Sequence, residues 1–258
     1  MNRIEGRTAL VTGATAGIGE ACARAFAARG VHLVLVGRRR ERLEALATEL
    51  RDAFGVSIRT APLDVRERAA VAALGRELEA EGVAVDILLN NAGKALGLDP
   101  LHEGDPDDWD EMIDTNLKGL LYLTRTFLPA MVARDRGHVI NIGSTAGRWS
   151  YPRGNVYCGT KFGVRGISEG LNMDLAGTRL RVSSVDPGLV ETEFSEVRFH
   201  GDTGRAEQVY EGYTPLSPAD VADAVLYVAN APEHVDVFNL VIMPTDQRHS
   251  MIVHREGG

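Results

Sequence analysis

The sequence has too few cysteines for a disulfide framework and no apolar run long enough to cross a membrane. Cys22 and Cys158 are the only cysteines in 258 residues, which excludes the small disulfide-stabilised folds. Residues 1–6 carry no apolar signal region, so neither export nor a membrane anchor is predicted. These absences favour a reducing compartment, and we expect the protein in the cytoplasm.

Patterns for metal and polyanion binding are also missing. The seven histidines form neither a His-Glu-x-x-His motif nor a paired Cys/His spacing, so no metal is expected. The net charge of −8 repels nucleic acids and anionic membranes at long range. Neither is therefore expected as a main partner, although a local basic site remains possible.

Strand and helix patterns alternate along the chain, with no Pro/Gly/Ser-rich linker between its halves. Apolar runs predict strands at 9–11, 31–36, 57–62, 86–89, 137–142, 180–185 and 238–242. Helical periodicity predicts helices at 20–29, 40–53, 66–80, 107–134, 154–177 and 218–230. The alternation predicts a single α/β domain over residues 1–258, with a Rossmann-type doubly wound parallel sheet.

A glycine-rich turn joins the first predicted strand to the first predicted helix, with Gly13, Gly17 and Gly19 spaced G-x-x-x-G-x-G. The glycines permit tight turning and close backbone approach, and the helix N-terminus would face a pyrophosphate. Many loops contain such glycines, and the spacing differs from G-x-G-x-x-G. The strand before the turn and the helix after it nevertheless favour a dinucleotide site.

The end of the second predicted strand distinguishes between two dinucleotides. NAD-selective domains place an acidic residue there to bind the ribose 2′-hydroxyl, whereas this chain has Gly37 and Arg38. A guanidinium suits a 2′-phosphate because it forms forked, charge-assisted hydrogen bonds. We therefore predict NADP, held by Arg38 and Arg39, with a hydroxyl from Thr15. The alternative is that these arginines are simply the solvated start of a helix.

Tyr157 and Lys161 lie four residues apart in a predicted helix and so share one face. An ammonium near a phenol lowers the phenol pKa from its usual value of about 10, and such a tyrosine can exchange a proton with an alcohol. Tyr-x-x-x-Lys also occurs by chance. Ser144 makes the pair more specific, because it follows a buried strand at the sheet edge where parallel sheets place functional side chains.

Several separated elements, in order along nearly the whole chain, resemble the short-chain dehydrogenases/reductases. They are Thr-Gly-x-x-x-Gly-x-Gly at 12–19, Asn90-Asn91-Ala92-Gly93, Asn116, Ser144 with Tyr157 and Lys161, and Pro187-Gly188 followed by Thr192. The resemblance implies a small-molecule substrate and hydride transfer between a nicotinamide and a substrate carbon that bears an alcohol or carbonyl. It also implies a homotetramer, for which Leu121 and Leu123 offer extra apolar surface.

The resemblance assigns catalytic roles to Asn116, Ser144, Tyr157 and Lys161. Tyr157 would move the proton of the reacting oxygen, and Ser144 would hydrogen-bond that oxygen. Lys161 would bind the nicotinamide ribose and lower the tyrosine pKa. Asn116 would hold a water in a proton relay, although it could instead only tie its helix to the sheet.

The resemblance also implies a cofactor-binding set. Asp64 would contact the adenine and Thr192 the carboxamide, although Asp and Asn-Ala-Gly are also ordinary turn residues. The implied set is Gly13, Thr15, Gly17, Ile18, Gly19, Arg38, Arg39, Asp64, Val65, Asn90, Ala92, Gly93, Tyr157, Lys161, Pro187, Gly188, Val190 and Thr192.

Residues 140–147, 193–199 and 241–244 look like the NADP-dependent 3-hydroxy acid dehydrogenase branch. Its members oxidise serine, allo-threonine and similar 3-hydroxy acids, or reduce 3-oxo acids such as malonic semialdehyde. A carboxylate substrate needs a cation or donors near the reacting carbon. Arg198 is the first candidate, beside Ser144 and Tyr157, with Arg148 and Arg153 as further ones. Each arginine could instead be a surface charge.

Two other functions fit parts of the pattern. A reductase of broader aldehydes, ketones or acyl-carrier substrates shares the fold, but the acidic chain offers no obvious basic docking face for an acidic carrier. A catalytically silent NADP-binding sensor is disfavoured because all four catalytic positions are filled. The physiological substrate and the direction of the reaction depend on loop shape and metabolite levels, which the sequence does not give.

Overall fold

Seven parallel strands form the central sheet of the protein in a computed structural model. The structure describes residues 1–255, so the last three residues of the predicted domain lie outside the described residues. The strand order is β3-β2-β1-β4-β5-β6-β7, and every neighbouring pair is parallel. The strands are β1 Thr8–Thr12, β2 His32–Gly37, β3 Ile58–Pro62, β4 Ile87–Asn90, β5 His138–Ile142, β6 Arg181–Pro187 and β7 Asn239–Ile242. The predicted Rossmann-type, doubly wound α/β fold is confirmed.

Helices cover both faces of the sheet, which explains why its strands are apolar on both sides. The helices are α1 Gly17–Ala27, α2 Arg40–Phe54, α3 Arg68–Ala80, α4 Pro106–Ile113, α5 Leu120–Ala133, α6 Asn155–Asp174, α7 Phe194–Arg198, α8 Thr203–Gln208 and α9 Pro218–Ala229. In β2, Leu33 and Leu35 belong to one core layer, with Phe26 of α1, whereas Val34 and Val36 belong to the other. The period-2 alternation of a strand thus feeds two cores.

The single helix predicted over 107–134 is wrong in its middle. A π-helical turn, Asp114–Gly119, separates α4 from α5. Val65 packs against this turn, since a Cβ added at Gly119 would lie 2.7 Å from its Cγ2 atom. The apolar spacing continues on both sides, so the extra residue of the π turn is invisible to a 3.6-residue periodicity.

Three short elements near the end of the chain were not predicted. They are α7, α8 and an antiparallel hairpin of β8 Gln247–His249 and β9 Ile252–Val253. Elements of two to six residues are too short for a periodic signal. Within residues 1–255, no helix combines the length and the apolar character needed to cross a bilayer.

Candidate active site

A cleft of about 790 Å³ lies at the carboxyl ends of the strands, near the point where the order turns from β1 to β4. Ligands of doubly wound sheets bind at such a switch point. Most residues of the predicted site line this cleft. They are Gly13, Thr15, Gly17, Ile18, Arg38, Arg39, Asp64, Val65, Ala92, Gly93, Ser144, Tyr157, Lys161, Pro187, Gly188, Val190, Thr192 and Arg198.

The glycine-rich turn forms one end of the cleft and fits an anionic group. Gly13 and Gly17 have φ angles of 66° and 53°, in the left-handed region that favours glycine. A side chain at Gly19 would overlap the carbonyl oxygen of Gly13, so Gly19 permits packing although it does not line the cleft. The residue before α1, Ala16, makes no side-chain cap, which leaves helix N–H donors available to a phosphate.

Arg38 and Arg39 differ although they are neighbours. Arg38 lines the cleft and has no hydrogen bond or ion pair to any other residue within 1–255. Arg39 donates from Nε to Oγ1 of Thr15 at 3.1 Å and from Nη1 to Oε2 of Glu193 at 2.9 Å. Arg42 binds the other oxygen of Glu193 at 2.8 Å. Arg38 therefore has the free donors that a 2′-phosphate needs, whereas donors of Arg39 already bind Thr15 and Glu193.

Asp64 lines the cleft and pairs with Arg66 at 2.8 Å. Partial burial raises the pKa of Asp64, but the hydrogen bonds and charge of Arg66 outweigh it, so its pKa is lowered overall. Asp64 is thus an acceptor at neutral pH.

Tyr157 and Lys161 are both buried at the other end of the cleft. The Nζ atom of Lys161 donates to the carbonyl oxygen of Ile142 at 2.8 Å and lies 5.9 Å from the centre of the Tyr157 ring. Burial lowers the pKa of Lys161 to about 8, and the charge of Asp186 opposes this effect. The ammonium of Lys161 therefore loses its proton more readily than that of an exposed lysine.

The predicted lowering of the Tyr157 pKa by Lys161 is wrong for this arrangement. Burial and the nearby Tyr151 raise the pKa of the Tyr157 phenol, and the effects of Ser144 and Arg198, which lower it, do not outweigh them. The physical reason is that desolvation disfavours phenolate, while the ammonium of Lys161 points at a backbone carbonyl.

Asn116 lies in the π-helical turn and is 2 % exposed. Its Oδ1 accepts from the backbone N–H of Lys94 at 2.9 Å, and its Nδ2 donates to the carbonyl of Lys94 and to Thr160. It does not line the cleft but sits behind Gly93, where an added Cβ would lie 3.2 Å from its Oδ1 atom and 3.7 Å from Nζ of Lys161. These contacts agree with the alternative in which Asn116 has only a structural role. The relay role stays a prediction.

Asn90 is predicted to bind the cofactor, but it does not line the cleft. It points away from the cleft and is 5 % exposed, donating to Oδ1 of Asn141 at 2.9 Å and to Thr124. Because both donors tie β4 to β5 and α5, a direct side-chain contact with the cofactor is not supported.

Of the three arginines considered for a carboxylate, only Arg198 lines the cleft. Its guanidinium carbon lies 5.9 Å from the centre of the Tyr157 ring, and its Nη2 donates to Oη of Tyr151 at 2.9 Å. Arg148 instead binds Asp186 at 2.7 Å, and Arg153 lines a separate small pocket. Neither Arg148 nor Arg153 lines the cleft.

The profile of the short chain dehydrogenase family matches residues 7–202. The chain belongs to this family. It is 52 % identical over 248 residues to the NADP-dependent 3-hydroxy acid dehydrogenase YdfG of Salmonella typhi, covering 95 % of this chain and 98 % of that protein. It is 39 % identical to the NADP-dependent 3-hydroxy acid dehydrogenase of Schizosaccharomyces pombe, covering 99 % of each.

A solved structure, the closed form of serine dehydrogenase complexed with NADP+, is also similar to this short-chain dehydrogenase. The two share 50 % identity with a TM-score of 0.89, and the match covers 96 % of this chain and all of that one. The similarity thus extends well past residue 202, through the segments that close the far side of the cleft.

The cleft also contains residues that sequence reasoning missed. Glu193 bridges two arginines, Tyr151 binds Arg198, and Oε1 of Gln247 accepts from the backbone N–H of Leu189 at 2.9 Å. Ser250, Met251, Val253 and Arg255 of the hairpin region also line the cleft. Only the position of Glu193, directly after Thr192, was a usable signal, because the others depend on how short loops fold back.

Proposed function

We propose that this short-chain dehydrogenase is an NADP-dependent oxidoreductase that interconverts 3-hydroxy acids and 3-oxo acids, of the serine, allo-threonine and 3-hydroxypropionate/malonic semialdehyde type. The observation that carries the proposal is the guanidinium of Arg198 inside the cleft, 5.9 Å from the ring of Tyr157. A cation beside the proton-transferring group suits a substrate with a carboxylate close to its reacting carbon.

The cofactor proposal depends on residues at the two ends of the cleft. The Gly13–Gly17 turn would hold the pyrophosphate, and Arg38 would hold the 2′-phosphate with its uncommitted donors. Asp64 and Val65 would contact the adenine, and the remaining cleft residues named above would hold the ribose and nicotinamide. NADP, when bound, supplies or accepts the hydride. The relatives, which are NADP-dependent by name, support this choice.

Proton transfer belongs to the chain's own residues. Tyr157 would give a proton to the carbonyl oxygen in reduction and take it back in oxidation, and Ser144 would hydrogen-bond that oxygen. Lys161 would bind the nicotinamide ribose, and its Nζ atom lies 5.9 Å from the centre of the Tyr157 ring. Asn116 fixes the segment at Gly93 and Lys94 that faces Lys161, so we propose that it positions the relay that serves the lysine.

Arg198 has donors to spare for a carboxylate. Its Nε donates to the carbonyl of Gly97 at 3.2 Å and one Nη2 donor is used by Tyr151. No hydrogen bond to its Nη1 occurs within residues 1–255. A guanidinium offers five N–H donors, so an incoming carboxylate can bind without displacing either contact.

We also propose a homotetramer located in the cytoplasm. Leu121 of α5 and Phe162 of α6 are 44 % and 41 % exposed, and they offer apolar surface for subunit contacts. Leu123, which is also predicted to add apolar surface, is buried in the core and provides no surface for subunit contacts. Light scattering of the purified protein tests the assembly.

The proposed substrate class is tested by following the absorbance of reduced nicotinamide. L-serine, allo-threonine and 3-hydroxypropionate are offered with NADP or NAD, beside simple uncharged alcohols, for the wild type and Arg198→Met. We expect turnover of the hydroxy acids with NADP and a selective loss of that turnover in the variant. If only uncharged alcohols and carbonyls react, the protein is a broad-range reductase and the carboxylate site is wrong.

A further inference from the structure

A carboxylate lies beneath the floor of the active site, at the end of β6. Asp186 is 2 % exposed. Its Oδ2 accepts from Nε of Arg148 at 2.7 Å, and its Oδ1 accepts from the hydroxyl of Ser184 at 2.5 Å. Gly143 makes room for it, because a side chain there would overlap Oδ1 of Asp186. The Asp186 carboxylate is therefore a buried, hydrogen-bonded group to which the mechanism above gives no role.

Lys161 contacts the backbone next to the glycine that packs against this carboxylate. Its Nζ donates to the carbonyl of Ile142, the residue directly before Gly143. Burial lowers the pKa of Lys161 to about 8, and Asp186 is the charged group that opposes this effect. A buried ammonium without a nearby negative charge would lose its proton more readily.

The other ionisable groups on the elements around Lys161 do not replace Asp186. Lys94 pairs with Glu111 at 2.6 Å, and Lys118 of the π turn pairs with Asp114. Burial lowers the pKa of His138 in β5, which keeps it neutral. On α6 itself, Arg165 pairs with Glu169 at 2.9 Å, and the guanidinium of Arg198 lies over the Tyr157 ring.

We propose that Asp186 is a positioning residue that keeps the proton on Lys161. It acts through Lys161 without touching substrate or cofactor, and Arg148 partly neutralises it and so sets how strongly it acts. The inference rests on the proposed function only for its effect on turnover. The proton on Lys161 can be measured without any reaction.

The chain offers a direct measurement because it has only three lysines, Lys94, Lys118 and Lys161. Protein labelled with [ε-¹³C]lysine gives three signals, which Lys94→Arg and Lys118→Arg assign. In a pH titration, Asp186→Asn should lower the midpoint of the Lys161 signal by about one unit. An unchanged midpoint in folded protein would overturn the proposal.

Asp86 provides a matched control. It is also buried, at 6 % exposed, and binds an arginine, Arg136, at 2.8 Å. However, it lies at the amino end of the strands, where it accepts from the N–H of Thr8. Asp86→Asn should leave the Lys161 midpoint in place, and an equal shift there would mean a general effect of lost stability.

A second variant gives the opposite sign and serves if Asp186→Asn does not fold. Arg148→Gln removes the neutralising guanidinium and should raise the Lys161 midpoint. A fall, or no change, contradicts the proposal. In turnover, Asp186→Asn should move the alkaline limb of the pH profile to lower pH. If the wild type oxidises no hydroxy acid yet the midpoint shifts as expected, the proposed function fails and the inference stands.

Discussion

Two arginine–carboxylate pairs lie near the two ends of the cleft, in different surroundings. At the end with the glycine-rich turn, the side chains of Arg39 and Glu193 are 43 % and 44 % exposed. Beneath the end with Tyr157 and Lys161, the side chains of Arg148 and Asp186 are 20 % and 3 % exposed. Water screens the first pair, so it contributes little to stability. The second pair acts in a low dielectric, where one charge alters the protonation of its neighbours.

The largest effect is expected at the buried end. Tyr157→Phe removes the proton-transferring hydroxyl and should lower kcat by about 10³-fold, while the affinity for NADP, measured by quenching of protein fluorescence, is retained. Tyr122→Phe, at a partly buried tyrosine outside the cleft, should react at the wild-type rate. Unchanged turnover in Tyr157→Phe would make our assignment of the acid/base wrong.

Loss of the buried arginine comes next. Arg148→Ala leaves Asp186 without its cation and should lower the free energy of unfolding by about 3 kcal/mol. Urea denaturation followed by circular dichroism measures this. Arg136→Ala is the comparison, since Arg136 is 51 % exposed and Asp86 keeps its backbone donor. A loss for Arg148 no larger than for Arg136 would remove the distinction between buried and exposed pairs.

Lys161 should lower the free energy of unfolding at neutral pH, because burial disfavours its charged form. Because its pKa of about 8 in the folded protein lies below its usual value, the unfolded chain binds the extra proton. The cost is complete below pH 8 and disappears as the pH rises towards 10.5. Lys161→Met should therefore raise the free energy of unfolding by about 2 kcal/mol at pH 7. That gain should shrink at pH 10, and an equal gain at both pH values would contradict the linkage.

Among the exposed arginines, Arg38 should matter more than Arg39 for the cofactor. Arg38→Ala should weaken NADP binding by about tenfold or more, through lost charge-assisted hydrogen bonds, and leave NAD binding unchanged. Arg39→Ala should weaken it less, because its donors already bind Thr15 and Glu193. Calorimetric titration of each variant with NADP and NAD decides between them.

The smallest effect is expected for the exposed carboxylate. Glu193→Gln removes the bridge to Arg39 and Arg42 and should lower the free energy of unfolding by less than about 1 kcal/mol. The difference from wild type should shrink further in 1 M salt. A loss as large as that for Arg148 would show that exposure does not separate the two ends.

The same contrast explains which parts of the site could be predicted. The period of apolar residues defined the strands and long helices. The glycine-rich turn, the strand-end position of Ser144 and the four-residue spacing of Tyr157 and Lys161 indicated residues that line the cleft. The direction of the Tyr157 pKa could not be predicted, because burial depends on residues distant in sequence. The partners of the Asn90 side chain, Thr124 and Asn141, could not be predicted for the same reason.

The hairpin of β8 and β9 makes two surfaces of the molecule unequal for protein engineering. Asn2 and Arg3 contact Arg29 and Asn230, outside the cleft, so a label or linker attached to either side chain leaves the site untouched. Met251 and Arg255 line the cleft, and a group attached to either of them would stand at its mouth. Surface attachment of this enzyme should therefore use Asn2 or Arg3 and avoid the hairpin.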